Sequence, residues 1–273
     1  MIYPSLDDAR VSFTRVYNFR NHSKLLLCSI PGASSTWTRQ FGNAAYAAMS
    51  HNDSAMQYSA NVQMNDIATS APLLVALESL HAEEVISIAC SREWERIAIV
   101  RNPFSRILSK FLDKVVEHPT NRSQLIMPPY HREDGQDFGK FVQRLVDTTN
   151  QTQNPRPEAE YVNGHYRSQS NFCGMRHIPY RFIHMETLHT EAPILARQLA
   201  VEAHPGVHAL LAQLRPYNAC SDALRMHMHY DAATAALVRT YFAEDFRRFR
   251  YSLHFPSVAH ACTRNGSDDT DRL

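Results

Sequence analysis

The sequence predicts an α/β domain with a central, mainly parallel sheet flanked by helices, and two observations carry that reading. KLLLCSI (Lys24 to Ile30) and RIAIV (Arg96 to Val100) are continuous apolar runs of strand length, as expected of strands buried on both faces. Each is followed at once by a polar turn and a helical pattern, the order that parallel strands joined by crossovers require. With 273 residues, 44% hydrophobic and 20% charged, the chain has enough material for one large domain or two small ones with a sizeable core. A disordered or collagen-like chain is excluded by the same figures. The boundaries expected are an N-terminal extension over 1–23, the folded domain over 24–255 and a polar C-terminal tail over 256–273.

Along the chain, the first run leads through the small-polar stretch PGASST into a helix expected from Trp37 through Met49. Within 71–91, Leu73, Leu74, Leu77, Leu80 and Ile88 fall at helical spacing and predict a helix. After Val100 the segment RNPFSRILSKFLDKV offers Asn102 as N-cap, Pro103 as first helical residue, and Ile107, Leu108, Phe111 and Leu112 as the buried face. Residues 119–135 form a polar, proline-bearing loop, Phe138 to Val146 a helix, and 149–172 a long irregular segment of the kind that often carries function. Tyr180 to His184 reads as a third strand, and Leu188 to Ala203 and Ala232 to Phe246 as helices.

Charge narrows the chemistry. With 28 Lys+Arg against 27 Asp+Glu there is no global basic field to argue for nucleic acid, so any anion site must be local. Lysine occurs only at Lys24, Lys110, Lys114 and Lys140, so nearly all of the positive charge is arginine. No apolar run is long enough to span a membrane, and MIYPSLDDAR lacks the apolar core of a signal peptide. Asn21, Asn52, Asn121, Asn150 and Asn265 each open an N-x-Ser/Thr sequon, against roughly two expected by chance, which points to a secretory lumen. The five cysteines form no zinc spacing, so no metal is expected. Cys173, Cys220 and Cys262 are candidates for a disulfide, and Cys28 reads as a small core residue inside a strand.

In such a sheet, ligands bind beyond the carboxyl ends of strands, where helix N-termini present unpaired amides to anions. The first turn supplies Gly32 for close backbone approach and the hydroxyls of Ser34, Ser35 and Thr36. It is not a GxxxxGK[ST] loop, which weighs against Mg-dependent nucleotide hydrolysis or a small-molecule kinase. After the second strand, Arg101 emerges at the strand end. Ser109 lies two helical turns beyond Pro103, with Arg106 at i−3 on the same side. A guanidinium, a hydroxyl and a helix start suit a phosphate dianion.

Together the two segments resemble the Golgi carbohydrate sulfotransferases that use 3'-phosphoadenylyl sulfate (PAPS), the group with the HNK-1, chondroitin/dermatan and uronyl 2-O enzymes. RNPFSRILSKF (Arg101 to Phe111) meets every fixed position of the 3'-phosphate motif R-x-P-x-x-R-x-x-S-x-[FY]. Ala33, Ser34, Ser35, Thr36 and Trp37 match the second half of the 5'-phosphosulfate motif, P-K-x-[AG]-[SC]-[ST]-[ST]-[WF], while Pro31 stands where that motif has lysine. HYRSQSNFC (His165 to Cys173) is similar to H-[WF]-x-P-Q-x-x-x-C with Ser168 in place of proline. YRFIHMETL (Tyr180 to Leu188) and YFAEDFRRFRY (Tyr241 to Tyr251) look like the two closing elements, so the likeness covers about residues 24–251.

The resemblance implies a P-loop-like fold and metal-free transfer of a sulfuryl group from PAPS to a hydroxyl of a glycan or other acceptor. The nucleotide would be held by Gly32, Ala33, Ser34, Ser35, Thr36, Trp37, Arg101 and Ser109. His165, in the matching motif, is the candidate acceptor-side base, since imidazole has the right proton affinity. With the lysine missing, Arg39, two residues past Trp37, is the candidate cation at the leaving oxygen. Glu186 matches the family's glutamate after a strand, as a cap or a catalytic group. Arg122, Arg132, Arg156 and Arg167 are the compositional candidates for an acidic acceptor. The alternative is a catalytically impaired relative that binds PAPS or its desulfated product PAP. Localisation in the Golgi lumen or secretory pathway is the matching expectation.

Overall fold

The computed structural model describes residues 15–18, 25–33, 35–50, 74–76, 83, 87, 91–117, 137–151, 164–176 and 178–265. They divide into two compact units: Met1–Val100 with Gln169–Pro216, and Arg101–Ser168 with Tyr217–Leu273.

The first unit carries the sheet. Its strands are β1 (Arg15–Asn18), β2 (Leu25–Cys28), β3 (Leu74–Ala76), β4 (Glu95–Val100) and β5 (Arg181–His184), in spatial order β3-β1-β2-β4-β5. The apolar runs β2 and β4 pair in parallel with Leu27 opposite Ile97, and β4 pairs in parallel with β5 with Ile99 opposite Ile183. At the other edge β1 is antiparallel to both β2 and β3. Helices α1 (Ser35–Ser50), α4 (Leu188–Gln198) and α5 (Pro205–Gln213) belong to this unit. Leu27, Ile97, Ile99 and Ile183 are fully buried with Phe41, Ala44 and Ala45 of α1 and Leu188, Ala192, Leu195 and Ala196 of α4. The alanines let helix backbone approach the sheet, and each large apolar side chain buried here stabilises the unit by about 1.5–3 kcal/mol.

Three expectations are corrected in this unit. The helix expected over Leu188 to Ala203 ends at Gln198, and Ala200 just beyond it has φ +53°, outside the helical range. The helical spacing over 71–91 is contradicted at Leu74–Ala76, which is β3, drawn into the sheet by its ladder with β1. Cys28 is in the strand as expected, but it is not a lone core thiol: it forms a disulfide with Cys173.

The second unit is helical: α2 (Pro103–Phe111), running into a π-helical turn at Leu112–Glu117, α3 (Phe138–Gln151), α6 (Ala219–His227), α7 (Ala232–Tyr241), α8 (Ala243–Arg248) and α9 (Val258–Asn265). Its core is aromatic. Phe111 meets Phe138 at 5.2 Å between ring centres and Phe141 meets Tyr166 at 5.1 Å, both edge-on. The Tyr230 hydroxyl, buried in the same cluster, donates to the Phe104 carbonyl at 2.9 Å. The single helix expected over Ala232 to Phe246 is broken at Phe242, whose buried ring and non-helical backbone separate α7 from α8. A second disulfide, Cys220–Cys262, joins α6 to α9. The expected loop 119–135 lies outside the described residues, as does 152–163 of the long irregular segment.

Candidate active site

The turn after β2 shows why the chain bends where it does. Ala33 N–H donates to the Ile30 carbonyl at 3.1 Å, with Pro31 and Gly32 between them and Gly32 at φ +81°. Proline at the second position and a left-handed glycine at the third are what a type II turn demands. Pro31 therefore has a structural job at the place where the resembling motif carries lysine. Helix α1 opens immediately afterwards. Thr36 is exposed in its first turn, and Trp37 stacks on Phe41 with ring centres 4.8 Å apart. The Trp37 indole Nε1 is buried and finds no hydrogen-bond partner among the described residues. Such a donor suits an anionic ligand at this turn, since a buried unpaired N–H is costly until it is satisfied. Ser34 and the side chains of Ser35 and Arg39 lie outside the described residues; the Arg39 backbone is in α1.

At the start of the second unit, α2 begins as its sequence dictates: the Asn102 side chain accepts from the Phe104 N–H at 2.9 Å, and Pro103 is the first helical residue. Arg101, 9% exposed, donates from Nε to the Ser105 hydroxyl at 3.0 Å. Its Nη2 lies 3.9 Å from Asp222 Oδ1. Asp222, on α6, also accepts from the Tyr217 hydroxyl and from Arg225 at 2.6 Å. Burial alone would raise the Asp222 pKa. The hydrogen bonds from Tyr217 and Ser105, the Arg101 charge and the Arg225 bond outweigh it, so the carboxylate is held below its ordinary value. Arg101 is thus a pre-oriented cation at a helix start, the property a phosphate site needs. Ser109 is half-buried two turns further on. Arg106, expected beside it, is only 1% exposed and turns inward, where Nη1 donates to the Arg167 carbonyl at 2.7 Å.

That bond reaches the segment carrying His165. Residues 164–167 form a turn, with Tyr166 packed into the aromatic core and Arg167 itself 3% exposed, so Arg167 is not the surface cation that composition suggested. The next residue, Ser168, donates from its hydroxyl to Asp245 Oδ1 of α8 at 2.5 Å. Around the imidazole the charges come from α2 and the π-helical turn. Lys110 donates to Asp113 Oδ2 at 3.0 Å, and Lys114 Nζ lies 3.4 Å from Asp113 Oδ1. Burial, then the charges of Lys110, Lys114 and Arg106, opposed by Asp113, bring the His165 pKa from 6.5 down to about 4. The ring is neutral at physiological pH.

A stability consequence follows with a definite sign. Between about pH 6.5 and 4 the unfolded imidazole binds a proton that the folded one does not, so acidification through that window lowers stability. At 1.36 kcal/mol per pKa unit the loss approaches ~3 kcal/mol. Urea titrations at pH 7 and pH 4 should show this drop in the native chain and a smaller one in His165→Asn. An equal drop in both would place the charge penalty elsewhere.

The structure added three groups that spacing did not reveal: Ser105, Asp222 and the Lys110–Asp113–Lys114 cluster. Only the lysines left a trace, through their rarity. Glu186 sits in the single turn Met185–Thr187 after β5 and is half-buried. Arg122, Arg132 and Arg156 lie outside the described residues. Among the described residues, no group of His, Cys, Asp and Glu is arranged to hold a metal ion.

No curated protein and no solved structure matches the chain. The model of the sulfotransferase family matches residues 15–252, from β1 through the strand ends and helix starts just described to the turn after α8. With most of its length accounted for in this way, the chain belongs to the sulfotransferase family.

Proposed function

We propose that this sulfotransferase takes its sulfuryl group from PAPS and delivers it to a hydroxyl of a glycan. The observation that carries the reading is the complete run Arg101 to Phe111, which begins at the end of a buried strand and continues into a capped helix with Arg101 already oriented by Ser105 and Asp222. PAPS supplies the activated sulfuryl group. Arg101 and Ser109 bind the 3'-phosphate, and the amides and hydroxyls from Gly32 to Trp37 bind the phosphosulfate. His165 accepts the proton of the acceptor hydroxyl as the new S–O bond forms and the old S–O bond to the phosphate breaks. Calorimetric titration with PAP, followed by a screen of hydroxylated glycans with labelled PAPS, tests the reading. Absence of PAP binding by the folded protein overturns it.

A second reading, a binding protein with impaired chemistry, is favoured by one feature: Pro31 is built into the turn where the resembling motif places its lysine. In the first reading Arg39 supplies the missing charge. Arg39→Ala should then cost at least tenfold in turnover. Pro31→Lys keeps Gly32 at its left-handed position and so tolerates the turn. If Arg39→Ala is silent and Pro31→Lys creates activity, the native chain lacks a working cation.

The same proposal includes a secretory-pathway lumen, the Golgi in particular, as the site of action. Two disulfides and five sequons support it. Among the described residues no helix is long and apolar enough to cross a membrane.

A further inference from the structure

The segment that carries His165 has no regular secondary structure of its own, yet it is gripped from several sides. Arg106 on α2 donates to the Arg167 carbonyl at 2.7 Å, Tyr166 is wedged against Phe141 of α3 with ring centres 5.1 Å apart, and the Ser168 hydroxyl donates to Asp245 of α8 at 2.5 Å. All of these groups are buried: Arg106 and Tyr166 are 1% exposed, Ser168 8%, and Asp245 fully enclosed. Ser168 also stands where the similar motif has proline. A proline fixes the backbone covalently through its ring. A serine does not, and needs an outside partner to hold the same conformation.

We propose that Ser168 and Asp245 form a hydrogen-bonded clamp that, with Arg106, fixes the orientation of the His165 turn, taking over the constraint that a proline ring would otherwise supply. Ser168 and Asp245 are positioning residues: the clamp acts on the reaction only through His165, and its catalytic consequence rests on the assignment of His165 as base. The bond to a carboxylate is charge-assisted and sheltered from water, so it is strong enough to hold a turn. Two elements far apart in sequence, the HYRSQ segment and the closing YFAEDF segment, are joined by it.

The test replaces Ser168 by Ala and by Thr in the full chain, each first shown to be folded by its circular dichroism and melting transition. Three readouts are taken: PAP affinity by calorimetry, kcat and KM on the best acceptor of the glycan screen, and the titration of the His165 imidazole by NMR. Ser168→Ala should lower kcat at least tenfold, leave PAP affinity within twofold, and move the His165 midpoint upward from about 4 by a unit or more as the loosened turn admits water. Ser168→Thr, which keeps the hydroxyl, should match the native chain. Unchanged titration in Ser168→Ala overturns the clamp. A shifted midpoint with unchanged turnover upholds the clamp and removes His165 from the base role, so the two failures are distinguishable.

Discussion

Arg101→Ala should raise the dissociation constant for PAP by roughly 30- to 160-fold, equivalent to about 2–3 kcal/mol of charge-assisted hydrogen bonding. The guanidinium is buried, held by Ser105, and faces Asp222, so its contribution is pre-organised rather than recruited on binding. The same substitution takes a cation away from Asp222, whose remaining partners Tyr217, Ser105 and Arg225 must then hold the carboxylate. Part of the cost will therefore appear as lost stability, and affinity has to be measured well below the melting transition. Arg101→Lys separates the effects. It keeps a positive charge near Asp222 but loses the planar fork and the Nε bond to Ser105, so it should fall between the native chain and the alanine variant. Unchanged PAP affinity in a folded Arg101→Ala variant removes the 3'-phosphate assignment.

His165→Ala should reduce turnover by about 10²–10⁴-fold, the usual range for a lost general base, while PAP affinity stays nearly intact. The pH profile gives an independent check. Because burial and the neighbouring Lys110, Lys114 and Arg106 hold the imidazole pKa to about 4, the acid limb of kcat should lie well below the ordinary histidine value. A free imidazole would lose activity near pH 6.5. An acid limb there, or turnover in His165→Ala within a few fold of native, assigns the base to another group.

How much of this was legible in the sequence depends on how local the cause is. The two strand–turn–helix units could be read because apolar continuity, an Asn-Pro helix start and a Pro-Gly turn all act within a few residues. Strand β3 was not legible, since three residues carry too little pattern to compete with the leucine spacing around them, and β1 lies in a short polar stretch with no continuous apolar run. Arg106 shows a different limit. Its i, i+3 relation to Ser109 is real, but α2 is buried along most of its circumference, from Pro103 to Leu108, so a shared side says nothing about which residue faces a ligand. The contacts of Asp222 and Asp245 were not legible for a third reason: each acts on a group far away along the chain, through a contact that exists only after folding.

The Cys28–Cys173 bridge sets a timetable for biosynthesis. Its cysteines are separated by 145 residues, so at a synthesis rate of about 5–20 residues per second the first thiol waits roughly 7–30 s for its partner to be made. Cys90 is the only other thiol synthesised in that interval. The Cys220–Cys262 pair, 42 residues apart, waits roughly 2–8 s at the same rate. In a compartment that forms disulfides during translation, Cys28 is therefore the thiol most exposed to wrong pairing, and Cys90 the partner to remove first when recombinant yield is poor.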